Sequence, residues 1–175
     1  RIPEELLRRE KGKGPQALTG RLRKDMPFEF LPVKGLPDRT RAFLKIQDGC
    51  ESFCSYCIVP LARGPLRSLA PQVVIGALGS FAAAGTREVV LTGIHLGQYG
   101  MDLHPPVDLP ALLRLIGREG LPLRVRLSSI EPKEVVPDLV ELVASESWLC
   151  RHFHIPLQSG DDGVLSLMNR AYRAA

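Results

Sequence analysis

The chain has 175 residues, enough for one domain with a real core, and its 45% hydrophobic and 24% charged content is that of a globular protein, not a disordered one. No run of eighteen apolar residues occurs, which excludes a membrane-crossing helix, and "RIPEELLRREKGKG" lacks the apolar stretch of a signal peptide, so a cytoplasmic protein is expected. The net charge of +4 sits at the front: residues 1–45 carry 12 Lys and Arg against 6 Asp and Glu, which fits either a polyanionic partner such as RNA or a basic solvated linker.

Residues 1–41 read as a lead-in. A short helical run, Pro3–Glu10, gives way to "KGKGPQ" and then to "DMPFEFLPVKGLPDRT", where repeated proline and glycine favour a connector over a core. From residue 42 a strand–helix rhythm begins, and residues 42–175 are expected to form the folded unit. "RAFLKI" is a short β-like run that ends at a cysteine loop. "APQVVIGALGSFAAAG" has helical spacing, with Gly85 placed as a C-terminal cap. "REVVLTG" is a second strand and leads into "GIHLGQYG", which lacks the G-x-G-x-x-G spacing and the Lys-Ser/Thr of phosphate loops. "DLPALLRLIGREG" is a second helix, with Asp108 as N-cap and Gly120 near its end. "PLRVRLSSI" alternates as a strand, "KEVVPDLVELVAS" returns to helical spacing, "RHFHIPLQSG" is a fourth strand, and "DDGVLSLMNRAY" opens a fourth helix. Four such units predict an α/β fold with parallel strands covered by helices; an open doubly wound sheet and a barrel both fit. No closing strand follows, so the expectation is part of a larger α/β unit.

Three of the four cysteines, Cys50, Cys54 and Cys57, lie in "DGCESFCSYCIVPLARG" with the spacing C-x3-C-x2-C, and Cys150 is far away in sequence. Where thiols stay reduced, such a group more often binds metal than forms a disulfide. Structural zinc takes four protein ligands; the candidates for a fourth are Cys150, His95, His104, His152 and His154, none at a zinc-ribbon spacing. Three thiolates can instead hold an iron–sulfur cluster with one iron left open for a substrate or cofactor. The loop follows the first predicted strand, which is the functional end of an α/β fold. Three buried structural cysteines within eight residues would far exceed ordinary usage.

With Tyr56 before its third cysteine, the triplet resembles the signature of the radical S-adenosylmethionine (SAM) enzymes. "FLKIQDGCESFCSYCIVPLARG", "EVVLTGIHLGQYG", "RVRLSSIEP" and "HFHIPLQSGDDGVLSLMNRAY", in that order, resemble the radical SAM methylthiotransferases from about Arg41 onward. "LSSIEP" and "LTGIHLGQYG" look most like the branch that adds a methylthio group to C2 of N6-threonylcarbamoyladenosine, beside the anticodon of tRNA. The branches acting on isopentenyladenosine in tRNA or on a ribosomal protein are the alternatives within the family, and a non-catalytic zinc-binding module is the alternative outside it.

The resemblance implies a partial (β/α)6 TIM-like radical SAM barrel with about four βα units present. It implies that Cys50, Cys54 and Cys57 hold a [4Fe–4S] cluster whose open iron binds SAM, and that an electron then cleaves SAM to methionine and a 5′-deoxyadenosyl radical. The expected partners are a tRNA anticodon stem-loop and an electron donor such as flavodoxin or ferredoxin, with no membrane. Two departures stand out. No cysteine precedes Cys50 to hold the family's second cluster, which is expected in the full-length protein, and nothing after residue 175 forms its small RNA-binding β-domain. The lead-in is therefore expected to come from a missing N-terminal domain, and the chain alone is expected to lack full activity. Pro65 and Leu66 also replace a more basic run, which weakens any claim that this loop grips phosphate.

The candidate SAM contacts stand at predicted strand ends. Tyr56 is expected near the adenine, against a reading as a simple loop anchor. Thr92 and Gly93 would present backbone to the amino group, or form only a strand-ending turn. Ser128, Ser129 and Glu131 would reach the ribose, or else cap the following helix. Gln158, with Ser159, ends the fourth strand on the same rim. His152 and His154 alternate across that strand and are expected on opposite faces, each more readily structural than functional. Cys150 is expected as a buried core thiol, and Arg63 either balances cluster charge, contacts RNA or is a surface arginine.

Overall fold

The computed structural model describes residues 26–31 and 40–174. The helical run expected at Pro3–Glu10, like most of the lead-in, lies outside them. The structure is organised around "EVVLT", β4 (Glu88–Thr92), whose first four residues are all buried. Such a strand, apolar on both faces, suits the middle of a parallel sheet. β1 (Arg41–Lys45) lies on one side of it, from Arg41 opposite Glu88 to Lys45 opposite Thr92. β5 (Arg124–Leu127) lies on the other, from Glu88 opposite Arg124 to Leu91 opposite Leu127. Both pairings are parallel, in the order β1-β4-β5.

Each crossover carries a helix. α2 (Pro71–Ala83) buries Val74, Leu78 and Phe81 on one stripe. It ends as expected at Gly85, where φ is +81°. Gly85 N–H donates to Ala82 O and Thr86 N–H to Phe81 O, the paired bonds that close a helix over a left-handed residue. α3 (Leu109–Arg118) buries Leu109, Leu112, Leu113 and Ile116, and the Asp108 carboxylate caps it by accepting from Ala111 N–H at 2.8 Å. α4 (Pro137–Ser145) buries Leu139, Leu142 and Val143. α2 packs on α3 and α3 on α4, so successive helices stand side by side while successive long strands are added in one direction. That is the winding of a barrel; a doubly wound sheet would reverse its strand order.

The fourth strand is present only in part. Its backbone runs parallel beside β5 through bridges at Val125–Leu149 and Ser129–His154. Four steps along β5 thus face five along the other segment, and the extra residue breaks the ladder as a bulge does. A tight turn absorbs it, His152 N–H donating to Cys150 O at 2.7 Å. Residues two apart on a strand share a face, so the expectation of opposite faces for His152 and His154 does not hold, and both side chains are exposed. α5 (Asp162–Leu167) follows, capped by Asp161, which accepts from Val164 N–H.

Two small elements frame the cysteine loop and were not expected. β2 (Gln47–Asp48) pairs antiparallel with β3 (Arg67–Ser68), and α1 (Val59–Arg63) lies between them. Elsewhere, a groove of about 940 Å3 runs between residues 28–31, β1 and α2, and none of the predicted site residues lines it.

Candidate metal centre

The loop that bears the three cysteines is pinned at its base. After β1, only Ile46 intervenes before β2 turns the chain toward β3, and Cys50 N–H donates to Gly64 O at 3.1 Å across the neck. Gly49 is required here: its φ is +75°, and a Cβ would stand 1.9 Å from Pro65 O. Gln47 is fully buried, and its amide donates to Asp48 O and Gly49 O while its carbonyl accepts from His95 N–H at 2.7 Å. One side chain thus joins the cysteine loop to the loop after β4. Asp48, ringed by Lys45, Arg63 and Arg67, keeps its carboxyl below the usual range; burial opposes this, and the Lys45 and Gly49 hydrogen bonds with the Lys45 and Arg63 charges outweigh it. Arg63 therefore faces Asp48, at 4.0 Å.

The loop's tip is held by the end of α5. Asn169, at φ +55°, closes that helix, with Asn169 N–H donating to Ser166 O and Arg170 N–H to Leu165 O. The same Asn169 then donates its side-chain amide to Phe53 O at 2.9 Å. Ser55 donates its N–H to Met168 O and its hydroxyl to Leu167 O. Arg170, one residue on, pairs with Glu131 at 2.5 Å and donates to the Tyr56 hydroxyl at 2.5 Å, with its guanidinium 5.7 Å from that ring's centre.

All three cysteines are free thiols of intermediate burial. For Cys50, burial works against ionisation, but hydrogen bonds from His95 and Ser52 and the His95 charge hold the thiol below its ordinary value. His95 Nδ1 lies 3.4 Å from Cys50 Sγ and 3.2 Å from Ser52 Oγ. Its Nε2 meets Glu134 Oε1 at 2.5 Å, with Glu131 at 3.9 Å. Burial lowers the imidazole's basicity, yet the Cys50 and Glu134 contacts raise its pKa to about 9. Cys54 is pushed up by burial, which Arg170 opposes and Glu131 and the other two cysteines reinforce. That mutual influence places the three thiols in one electrostatic neighbourhood.

The donor set fits a cluster better than a single ion. Among the described residues, the group of three ligand atoms lying within 4.8 Å of one another is His95, Glu131 and Glu134; the cysteines do not form one. A mononuclear zinc site would draw its sulfurs closer than that. Of the histidines considered as a fourth ligand, His95 has Nε2 on Glu134 and Nδ1 beside Cys50 and Ser52, and His154 Nδ1 is held by Ser129 at 2.7 Å. Cys150 sits by Glu88 at the opposite end of β4, about 13 Å along the strand. It is the buried core thiol expected, its pKa raised by burial and by the Glu88 charge.

Of the predicted cofactor contacts, Tyr56, Glu131 and Gln158 come together around Arg170, the Tyr56 hydroxyl also lying 3.3 Å from Gln158 Oε1. Beside Cys54, a recess of about 260 Å3 is lined by Ser52, Glu131, Asn169 and Arg170 among others. Thr92 ends β4 and accepts Ile46 N–H. Gly93 does permit a close approach, but to Gln47, whose Oε1 would stand 2.8 Å from an added Cβ. Ser128 Oγ is buried with no hydrogen-bond partner, and Ser129 turns to His154. Glu131 does stand at the N-cap of a short 3-10 turn, Pro132–Glu134, but no side-chain bond caps it, and the N-cap of α4 is Val136, with Pro137 beginning that helix. Sequence reading missed Gln47, Glu134, Asn169 and Arg170, and only "NRAY" carried a signal, as part of the resembling segment.

Residues 44–175 match the model of the radical SAM superfamily. A tRNA-2-methylthio-N(6)-dimethylallyladenosine synthase of Syntrophobacter fumaroxidans is 45% identical over 133 residues, 76% of this chain and 29% of that protein. A threonylcarbamoyladenosine tRNA methylthiotransferase, MtaB, of Bacillus subtilis is 44% identical over 146 residues, 83% and 32% of the two chains. The chain thus spans about a third of the curated relatives it matches. Among solved structures, the radical SAM methyltransferase TsrM of Kitasatospora setae, with tryptophan and a SAM analogue bound, superimposes with a TM-score of 0.60 at 19% identity, over 76% of this chain and 26% of that one. That likeness is of fold, and it agrees with the partial barrel expected. A cysteine triplet at the carboxyl end of a barrel-wound parallel sheet, within a superfamily match that runs from β1 to residue 175, leads to one conclusion: the chain belongs to the radical SAM superfamily.

Proposed function

We propose that this chain is the central core of a radical SAM tRNA methylthiotransferase, with Cys50, Cys54 and Cys57 as ligands of a [4Fe–4S] cluster and SAM at its open iron. The observation that carries the reading is the set of three free thiols on one braced loop, which do not close into a single-ion site among the described residues. The names of the relatives, tRNA methylthiotransferases of two kinds, support the reaction class. When bound, the cluster supplies the electron that cleaves SAM to a 5′-deoxyadenosyl radical. The protein's part is to position and to shield. Gln47 and Asn169 brace the loop from two sides, and Arg170 holds Tyr56 over the rim. Ser128 Oγ is buried and without a partner, Glu131 lines the recess beside Cys54, and Gln158 lies against the Tyr56 hydroxyl. Thr92, Gly93 and Ser129, at neighbouring strand ends, complete the proposed SAM contacts.

Of the tRNA nucleosides, N6-threonylcarbamoyladenosine is favoured by "LSSIEP" and "LTGIHLGQYG", with C2 as the site of methylthiolation. The larger relatives leave room for a second cluster, for a domain ahead of the residue 1–41 lead-in and for tRNA-binding elements. An electron donor such as flavodoxin or ferredoxin would serve the cluster. Among the described residues no helix is long and apolar enough to cross a membrane. Mass spectrometry of tRNA nucleosides from cells with and without the gene tests the reading. Loss of the methylthio-threonylcarbamoyl nucleoside supports it. Loss of the methylthio-dimethylallyl nucleoside instead moves the chain to the other branch, and no change in either refutes the tRNA assignment.

A further inference from the structure

The Glu134–His95–Cys50 row is more organised than cluster binding alone requires. His95 is 4% exposed, and three separate elements fix its ring. Gln47 holds its backbone, Glu134 takes Nε2 at 2.5 Å, and Nδ1 faces Cys50 Sγ at 3.4 Å. Gly97 is part of the arrangement, because a Cβ there would stand 1.9 Å from Glu134 Oε2 and displace the carboxylate. A metal-bound thiolate carries no proton, so its sulfur can only accept from Nδ1. A carboxylate at 2.5 Å likewise accepts from Nε2. Donation to Cys50 needs the proton on Nδ1, and Glu134 at Nε2, with Glu131 at 3.9 Å, fixes the ring so that this nitrogen faces the sulfur.

The geometry points to His95 as a positioning residue that donates a hydrogen bond to the Cys50 sulfur and thereby raises the reduction potential of the cluster, with Glu134 holding the ring so that Nδ1 faces that sulfur. This rests on the proposed role of Cys50 as a cluster ligand. The physical reason is charge. One electron from an external low-potential donor adds negative charge that spreads over the ligand sulfurs. A donor aimed at one of those sulfurs stabilises the reduced form more than the oxidised one. The neighbouring Ser52, with its N–H 3.5 Å from the same sulfur, adds to the effect in the same sense.

The test is a dithionite-poised redox titration of the anaerobically iron- and sulfide-loaded protein, followed by electron paramagnetic resonance of the reduced cluster. His95→Ala should keep its iron and sulfide content and make reduction less favourable by about tenfold, a fall of about 59 mV for a one-electron couple. Glu134→Gln, which keeps the ring but weakens the contact that orients it, should move the midpoint the same way by less. Unchanged or raised midpoints in both variants, at full cluster content, overturn the inference. So does a strong nitrogen coupling that marks His95 as bound to iron, or failure of both variants to take up iron, because the ring would then serve only as scaffold. Cys50→Ser separates the two levels: if it loads a full cluster at the unaltered midpoint, the ligand assignment itself is wrong.

Discussion

Glu88 joins four segments of the sheet through one buried carboxylate, and its replacement gives a sharp stability test. It receives Arg41 from β1 at 2.8 Å and Arg124 and Arg126 from β5 at 2.9 and 2.8 Å. The Cys150 thiol donates to it from the partial fourth strand. Its own side chain is 6% exposed. The Arg126 hydrogen bond, which exceeds the opposing cost of burial, and the Arg126 and Arg41 charges bring its pKa from 4.5 to about 2. At about 1.4 kcal/mol per tenfold change in acidity, that drop corresponds to about 3 kcal/mol of folding stability. The folded-state pKa is the lower one, so the stabilisation is full above pH 4.5 and is lost as pH falls through about 2. Urea unfolding of Glu88→Gln should therefore show a deficit of about 3 kcal/mol at pH 7, narrowing to about 1 kcal/mol at pH 3. A deficit below about 1 kcal/mol at neutral pH, or one that does not change between the two, would refute the reasoning.

Further predictions bear on the site. Gly49→Ala drives a Cβ into Pro65 O in a left-handed conformation, so after anaerobic loading the variant should retain well under half the wild-type iron. Asn169→Gly keeps the left-handed cap of α5 and removes the reach to Phe53 and Ser52; it should cost about 1 kcal/mol and speed amide exchange at residues 52–57, with the α3 amides unaffected. Asp108→Ala removes the cap of α3 and should lower stability by about 1 kcal/mol in thermal unfolding, with Asp108→Asn restoring most of it.

The elements legible in the sequence are those whose own residues determine them. α2 and α3 carry the apolar stripe on their surface and the punctuation at their ends, Gly85 and Asp108, and the strands "RAFLK" and "EVVLT" are apolar runs between turns. β2 and β3 are two residues each and have no periodicity to read. They exist because the neck of the cysteine loop must close. The fourth strand carries a strand-like pattern, but the extra residue between Leu149 and His154 is visible only against its partner. α4 starts at Pro137, not Lys133, because proline suits a first turn. The site divides in the same way. The thiols announce themselves by spacing. Gln47, Glu134 and Arg170 act through contacts with residues 48, 39 and 114 positions away in the chain, and no local pattern encodes such partners. At Gly93 the tight neighbour is Gln47, again a partner distant in the chain.

In the proposed site three sulfurs hold four irons and leave one of them to SAM. Mössbauer spectroscopy of protein loaded anaerobically with iron-57, before and after SAM is added, tests it most directly. The expected result is a four-iron cluster in which one iron in four changes its signal on SAM addition, and no cluster in Cys54→Ser. A colourless protein holding one zinc per chain, or a cluster whose four irons all ignore SAM, would contradict it.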